Sequence, residues 1–134
     1  MRARSRALET FANEMIEQFG ILCAGPDAPM WSLSGGNQQK ALFARTLAGS
    51  PKLFIADEPT RGVDVGSKRA IYDLLTAQAA AGMAILVVSS ELDEVVGITH
   101  RVLVMREGQI VKELAGSAVT ENAVLEAAFA GKVS

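Results

Sequence analysis

Residues 53–88 read "LFIADEPTRGVDVGSKRAIYDLLTAQAAAGMAILVV". A short apolar run begins at Leu53, a helix-like segment follows from about Gly66 to Ala80, and a second apolar run begins at Ala84. Short apolar runs bounded by turn residues are typical of buried strands. The order strand, helix, strand predicts two parallel strands joined by a right-handed crossover, with helices on both faces of the sheet.

Helix-like patterns and a hairpin flank this unit. Before it, apolar residues at three- and four-residue spacing predict helices over residues ~4–19 and from about Ser34 to Ala48. After it, the sequence predicts a short helix near Glu91–Val96, a hairpin with "REG" as its tight turn, and a last helix capped by Thr120. The hairpin strands are Arg101–Met105 and Gln109–Leu114, and the last helix ends at about Phe129.

Composition restricts the partners and the compartment. The chain has 134 residues, the size of one domain, and 13 Lys and Arg against 15 Asp and Glu give a formal net charge of -2. Such a charge provides no basic surface field for nucleic acid or anionic lipid. Cys23 is the only cysteine, which excludes an internal disulfide and a cysteine-based zinc site. No apolar run approaches the roughly 20 residues that span a bilayer, and no secretory signal is expected.

The segment "LSGG", residues 33–36, places two glycines where a helix should begin. Glycine costs roughly 1 kcal/mol per position in a helix relative to alanine. The first turn of a helix leaves four amide N–H groups unpaired and carries about half a positive charge, so it can bind an anion. Two interpretations stay open from these residues alone. One is a serine cap with a flexible glycine entry, and the other is a phosphate site to which Ser34 also offers its hydroxyl.

Two longer motifs resemble those of ATP-binding cassette (ABC) ATPases. "LSGGNQQK", residues 33–40, resembles the signature loop of these enzymes, and "LFIADEPTRGVD", residues 53–64, resembles their Walker B strand and D-loop. The runs "GNQQK", "RGVDVGSK" and "VVSSEL" are most similar to the second cassette of bacterial importers of ribose, galactose and xylose. The resemblance covers nearly the whole chain.

The resemblance implies a fold and a division of the chain. The fold class is α/β, a three-layer P-loop NTPase-like parallel sheet with flanking helices and a C-terminal β-hairpin and helix. No GxxxxGK[ST] motif occurs in these residues, so we expect an incomplete sheet without the P-loop strand, in the C-terminal part of a cassette. Residues 1–50 are then part of the helical signature subdomain, and residues 51–134 are the C-terminal part of the nucleotide-binding core.

The resemblance also assigns site residues. Glu58 is implied as the catalytic carboxylate that orients or deprotonates the attacking water, and Asp57 as the residue that holds Mg²⁺ through a water molecule. The signature loop is implied to bind the ATP of a partner cassette in trans, through Ser34, Gly35, Gly36, Asn37 and Gln38. Asp64 resembles the D-loop aspartate, and the residues alone are also consistent with an N-cap of the helix that follows it.

Ser90 occupies the position at which many ABC ATPases carry a switch histidine. A serine hydroxyl can bind phosphate, but unlike imidazole it cannot change its charge near neutral pH. We therefore hypothesise that this cassette contributes chiefly in trans, through its signature loop. The only histidine, His100, is expected to be structural or exposed, and Lys40 and Arg45 are expected on the solvated or salt-bridged surface of the signature helix.

The resemblance implies the ATP-binding and ATP-hydrolysing part of a sugar importer, with ATP and Mg²⁺ as cofactors. Expected partners are a second cassette in a head-to-tail dimer, transmembrane permease subunits and, indirectly, a periplasmic sugar-binding protein, but no nucleic acid. The protein would lie peripherally at the cytoplasmic face of the bacterial inner membrane. The isolated chain is expected to be inactive, because it lacks the Walker A motif.

Two other functions remain as alternatives. One is a non-catalytic regulatory or dimerisation module that keeps an ABC-like fold without hydrolysis. The other is a soluble ABC protein of DNA repair or translation, which ranks lower because such proteins are expected to carry other insertions and because the net charge of -2 offers no help to nucleic-acid binding.

Overall fold

Five α-helices and four β-strands make up most of residues 2–130, the part of the chain that the computed structural model describes; side chains are described from Arg6 onward. These residues divide into two compact units, one that ends at Val88 and one that begins at Ser89. Within the described part, no helix is both long and apolar enough to cross a membrane.

The first unit is built around one parallel strand pair. Its elements are α1 (Arg2–Gln18), α2 (Gly35–Leu47), β1 (Leu53–Asp57), α3 (Val65–Ala80) and β2 (Ala84–Val88). Strands β1 and β2 pair in parallel from Leu53 with Ala84 to Asp57 with Val88, and α3 connects them. The predicted strand–helix–strand unit is therefore confirmed, as is the α/β fold class.

The two faces of this sheet differ in burial. Phe54 and Ala56 of β1 are buried, and the ring of Phe43 on α2 packs edge-on against that of Phe54, with 5.1 Å between ring centroids. On the opposite face, Leu53 and Ile55 remain 53% and 59% exposed. The expectation of helices on both faces is therefore met on one face only among the described residues. Helix α2 covers the Phe54 face and contacts both α1 and α3.

Helix α3 joins this core through one face. Ile71 and Leu75 lie four residues apart, which places their side chains on the same side of the helix, and they are 0% and 2% exposed. The N-terminal turn of α3 faces the N-terminal half of α2, where Gly36 is buried. The glycine turn of α2 and the first turn of α3 thus belong to a closely packed pair of helices.

The second unit is a hairpin packed against helices. It contains α4 (Leu92–Ile98), β3 (Arg101–Arg106), β4 (Gln109–Ala115) and α5 (Glu121–Phe129). Strands β3 and β4 are antiparallel, and the φ angles of Glu107 and Gly108 between them are 50° and 77°, the positive values typical of a type I′ turn. Apolar residues of α5 pack against a core of three hairpin residues, Val102, Val104 and Leu114. The predicted hairpin, its "REG" turn and the last helix are confirmed.

Candidate functional site

The first turn of α2 is formed by a serine cap, as predicted. Ser34 has an extended backbone, with φ of -63° and ψ of 157°, and the Gln38 amide donates to its carbonyl at 2.8 Å. The Ser34 hydroxyl oxygen accepts from the Asn37 side-chain amide at 2.9 Å and, more weakly, from the Asn37 backbone amide at 3.5 Å. Because the oxygen accepts both bonds, the hydroxyl proton of this exposed residue can still be donated to a ligand oxygen.

The side chains of Asn37 and Gln38 hold the signature loop in shape. Asn37 Oδ1 accepts from the Leu22 backbone amide at 2.8 Å, and Gln38 Nε2 donates to the Leu33 carbonyl at 3.0 Å. These bonds connect the loop to the chain that precedes it. The assignment of both side chains to ATP binding remains a prediction, and the structure gives each of them a role within the chain.

The two glycines of this turn lie in different environments. Gly35 is exposed, whereas Gly36 is buried against α3. A Cβ atom added at Gly36 would lie 2.5 Å from Ser67 Cβ and 2.7 Å from Ser67 Oγ, and one added at Gly35 would lie 3.3 Å from the Gly62 carbonyl oxygen. Glycine is therefore required at residue 36 for the close approach of two helices, a reason that the sequence analysis missed.

The carboxyl end of β1 carries the two predicted acidic residues. Asp57 is the last residue of the strand, is exposed and pairs with Val88 of β2. Glu58 follows with a φ of 46°, a left-handed conformation that is uncommon for a residue other than glycine, and its amide donates to the Val88 carbonyl at 2.7 Å. The chain therefore turns at Glu58 and the strand ends there. Backbone strain of this kind is concentrated at functional sites.

Asp64 is an N-cap, which confirms one of its two predicted roles. Its Oδ1 accepts from the Ser67 backbone amide at 3.0 Å at the start of α3. The hydrogen bond from the Ser67 hydroxyl, followed by that from the Ser67 amide, lowers the pKa of Asp64 below its ordinary value of 3.8. Asp64 is therefore ionised at neutral pH. Its communication with a partner cassette remains a prediction.

Ser90 lies in the second unit, just after β2, and its side chain is exposed. The hydroxyl of the preceding residue, Ser89, accepts from the Glu91 amide at 3.0 Å and so forms the turn into α4. The sequence analysis placed Ser90 at the switch position and gave Ser89 no role, because a turn bond of this kind depends on the backbone conformation. The switch role of Ser90 remains a prediction.

Three charged or titratable residues had been expected in structural or surface roles, and Lys40 differs from that expectation because it is half-buried. Lys40 Nζ donates to the Gly20 carbonyl at 3.0 Å, so this lysine connects α2 to the end of α1. Arg45 is exposed. His100 is exposed, and its carbonyl accepts from the Gly116 amide at 3.0 Å beside the hairpin.

Asp57 is suited to a metal ion that takes most of its coordination from water and phosphate oxygens. Among residues 6–130, no group of three or more His, Cys, Asp or Glu side chains could hold a metal ion. Mg²⁺ is usually bound through one or two carboxylates together with water and substrate phosphates. An exposed carboxylate at the end of a parallel strand suits that mode, because ligands of open α/β sheets bind at this edge.

The strand–helix–strand unit, the capped glycine turn and the acidic pair at the end of β1 can be compared with known proteins. Residues 3–61 match the family model described as ABC transporter. The ribose import ATP-binding protein RbsA 2 of Rhizobium meliloti (strain 1021) is 48% identical over 124 residues, which are 92% of this chain and 24% of that protein. The xylose import ATP-binding protein XylG of Escherichia coli (strain K12) is 47% identical over 116 residues, 87% of this chain and 23% of that protein.

Solved structures agree with these relatives. A nucleotide-free ATP-binding cassette from an ABC transporter superposes with a TM-score of 0.77 at 26% identity, over 87% of this chain and 46% of that one. A dimeric cassette in a post-hydrolysis state, bound to ADP and Pi, superposes with a TM-score of 0.69 at 25% identity, over 79% of this chain and 46% of that one. Over most of its length this chain is therefore similar to ATPases of the ABC transporter family, and residues 3–61 match the model of that family. It spans about a quarter of the length of the curated relatives reported above.

Proposed function

We propose that this chain is the part of a sugar-import ATPase that supplies the signature loop, the Walker B carboxylates and the D-loop. The observation that carries this proposal is the 47–48% identity, over about nine tenths of the chain, to ATP-binding proteins of ribose and xylose import. The geometry of the α2 turn and of the β1 end supports it. The division into a helical subdomain, residues 1–50, and a nucleotide-binding core, residues 51–134, is part of the same proposal.

The first turn of α2 would bind the phosphate of ATP that is held by a second cassette. Helix α2 carries no acidic residue in its first turn, so the positive end of its dipole is not neutralised from within the helix. Ser34 can add a hydroxyl donor to the amide groups of this turn. The dimeric relative bound to ADP and Pi supports a paired arrangement of cassettes.

The end of β1 would serve the nucleotide of its own cassette. Asp57 would hold Mg²⁺ through a water molecule, and the ion, when bound, supplies positive charge to the phosphates. Glu58 would orient the attacking water or accept its proton. At Glu58 the backbone leaves the direction of the strand, with a φ of 46°. The carboxylates of Asp57 and Glu58 would therefore have different roles.

The partners follow from this assignment. A second cassette would pair head to tail with this one, and permease subunits would receive the movement that ATP drives. The complex would lie on the cytoplasmic face of the inner membrane, with a sugar-binding protein on the periplasmic side. By its resemblance to ABC ATPases, Ser90 occupies the position of the switch histidine that many of them carry, so the contribution of this cassette would be chiefly in trans.

A hybrid protein tests the proposal. In the hybrid ATPase, this chain replaces the matching stretch of ribose import ATP-binding protein RbsA 2 of Rhizobium meliloti, to which it is 48% identical. We expect ATP turnover and ribose-dependent growth to be retained. A hybrid that folds and assembles with its transporter but turns over no ATP would contradict the ATPase function and favour a non-catalytic module.

The trans contribution has a separate test in the same hybrid. Glu58→Gln keeps the shape of the side chain but removes its charge and basicity. If the cassette acts chiefly through its signature loop, turnover should fall only in part, because the other site still hydrolyses ATP. Near-total loss of turnover would show that the site next to Glu58 is indispensable.

A further inference from the structure

Helices α2 and α3 touch at a point where one of them has no side chain. The Cβ that Gly36 lacks would lie 2.5 Å from Ser67 Cβ, closer than two such atoms approach in proteins. A Cβ atom is fixed to the backbone, so a side-chain rotation of Ser67 cannot relieve this contact. The spacing of the two helices is therefore set by the pair Gly36 and Ser67.

We define residues 62–67 as the D-loop segment. Ser67 is its last residue and is bonded to Asp64 within the segment. Its backbone amide donates to Asp64 Oδ1 at 3.0 Å, and its hydroxyl bonds to the same carboxylate. At the other end of the segment, the Gly62 carbonyl oxygen lies 3.3 Å from where a Cβ of Gly35 would be. The backbone of the signature loop thus rests on both ends of the D-loop segment.

We propose that Ser67 is a positioning residue for the signature loop, and that its contact with Gly36 carries displacements of the D-loop segment to the first turn of α2. This inference rests on the proposed function, because the displaced turn is the one that would meet the partner's ATP. Closely packed interiors transmit strain instead of absorbing it. A shift of the D-loop segment would therefore change the position of the α2 amide groups.

Two explanations for glycine at residue 36 can be distinguished: access of phosphate to the backbone, and close packing against Ser67. If Gly36 is needed so that phosphate can reach the backbone, an added methyl group blocks the ligand whatever stands at residue 67. If it is needed because Ser67 lies against it, removal of the Ser67 side chain restores the fit. The missing Cβ of Gly36 points at Ser67, which favours the second explanation.

The experiment is a set of substitutions in the hybrid ATPase, with kcat and KM for ATP measured well below the thermal midpoint of every variant. Gly36→Ala should lower kcat by about a hundredfold, the order expected for a misplacement near 1 Å. KM should change little, because ATP is held mainly by the partner cassette. The kcat of the double variant Gly36→Ala with Ser67→Gly should lie within about threefold of the kcat of Ser67→Gly alone. A threefold difference in rate corresponds to less than the free energy of one tenfold change.

Two controls decide the cause of the rescue. Ser67→Ala keeps the Cβ at the point of contact, so it should not rescue Gly36→Ala. Gly35→Ala meets the Gly62 carbonyl instead, so Ser67→Gly should not rescue it. Failure of Ser67→Gly to restore kcat in a folded Gly36→Ala hybrid would overturn the positioning role. An inactive hybrid with the unaltered chain would instead contradict the proposed function.

Hydrogen exchange on the 134-residue chain tests the contact without any activity. Gly36→Ala should speed amide exchange at Ser67, whose amide is bonded to Asp64, and the added Ser67→Gly substitution should return the neighbouring amides of the D-loop segment toward their original rates. If Gly36→Ala leaves exchange in the D-loop segment unchanged, the two loops are not coupled and the inference is wrong.

Discussion

Helices α2 and α5 begin with the same kind of cap and differ in the residues that follow. Ser34 and Thr120 each accept from the backbone amide three residues on, at 3.5 Å and 3.2 Å. The next two residues are Gly35 and Gly36 in α2, but Glu121 and Asn122 in α5. The comparison teaches that the cap marks the start of a helix, whereas the first-turn residues indicate what that start is used for.

The first turns of α2 and α5 also differ in charge at the positive end of the helix dipole. Helix α5 has Glu121 in its first turn, so a charge of its own chain faces the positive end of the helix. Helix α2 has no acidic residue there, and one of its two glycines is buried against α3. One dipole is neutralised internally and the other remains open to an external anion.

The largest effect should come from giving α2 the acidic first turn of α5. Gly35→Glu places a carboxylate where the phosphate would bind, so ATP turnover of the hybrid should fall by about a hundredfold or more, the order found when one phosphate- or oxyanion-stabilising group is lost. The fold should survive, because residue 35 is exposed and its Cβ would meet only the Gly62 carbonyl oxygen, at 3.3 Å. Gly35→Ala makes the same Cβ contact without the charge and is the matched control, so Gly35→Glu should lower turnover well below it. Steady-state turnover and thermal unfolding check both statements. Unchanged turnover would mean that this turn does not meet phosphate.

The next effect is on stability at the second position of each turn. Gly36→Ala should destabilise the chain by about 1–3 kcal/mol through overpacking against Ser67, even though alanine favours helix. Asn122→Ala, at the matching exposed position of α5, should change stability by less than about 0.5 kcal/mol. Urea unfolding measures both. Equal changes would remove the structural distinction between the two turns.

The caps themselves should respond alike. Ser34→Ala and Thr120→Ala should each cost about 1 kcal/mol, because each leaves helix-start amides without their acceptor. In the hybrid, only Ser34→Ala should also lower ATP turnover. A loss of turnover in Thr120→Ala at a temperature where it is fully folded would show that the cap of α5 is not purely structural.

The smallest effect concerns the cap of α3, which is charged where the caps of α2 and α5 are neutral. The Ser67 hydroxyl holds the pKa of Asp64 below 3.8 in the folded chain, so its ionised form stabilises the fold above that pH. The advantage of the original chain over Asp64→Ser should be present at neutral pH and disappear as the pH falls through the folded-state pKa. Thermal midpoints of both chains across this pH range test it. An advantage that persists at the acid end would contradict the charged cap.

Local signals were enough to predict most of the secondary structure. The apolar runs at Leu53 and Ala84 predicted a parallel pair, Ser34 and Thr120 marked two helix starts, and "REG" marked the hairpin turn. Each of these depends on residues that are close in sequence. Coverage of the sheet was predicted less well, because it depends on which helices pack together, and periodicity does not contain that information.

The sequence identified residues of the candidate site, but it did not predict which of them contact each other. The sequence could mark Gly36, but it could not show that Ser67, far along the chain, lies against it. It marked Asp64 with two possible roles, and the structure decided one of them through the Ser67 amide. The left-handed backbone of Glu58 carries no sequence signal either, because glycine is the residue that usually marks such positions.

The central claim is that the α2 turn serves ATP that another part of the protein holds. Isothermal titration with ATP and Mg²⁺ tests it most directly, with the 134-residue chain and the hybrid ATPase side by side. We predict no measurable binding by the chain alone and clear binding by the hybrid, which Gly35→Glu should weaken. Equal affinity of the chain and the hybrid would contradict the account, because the phosphate site would then be built from residues to which other roles are assigned here.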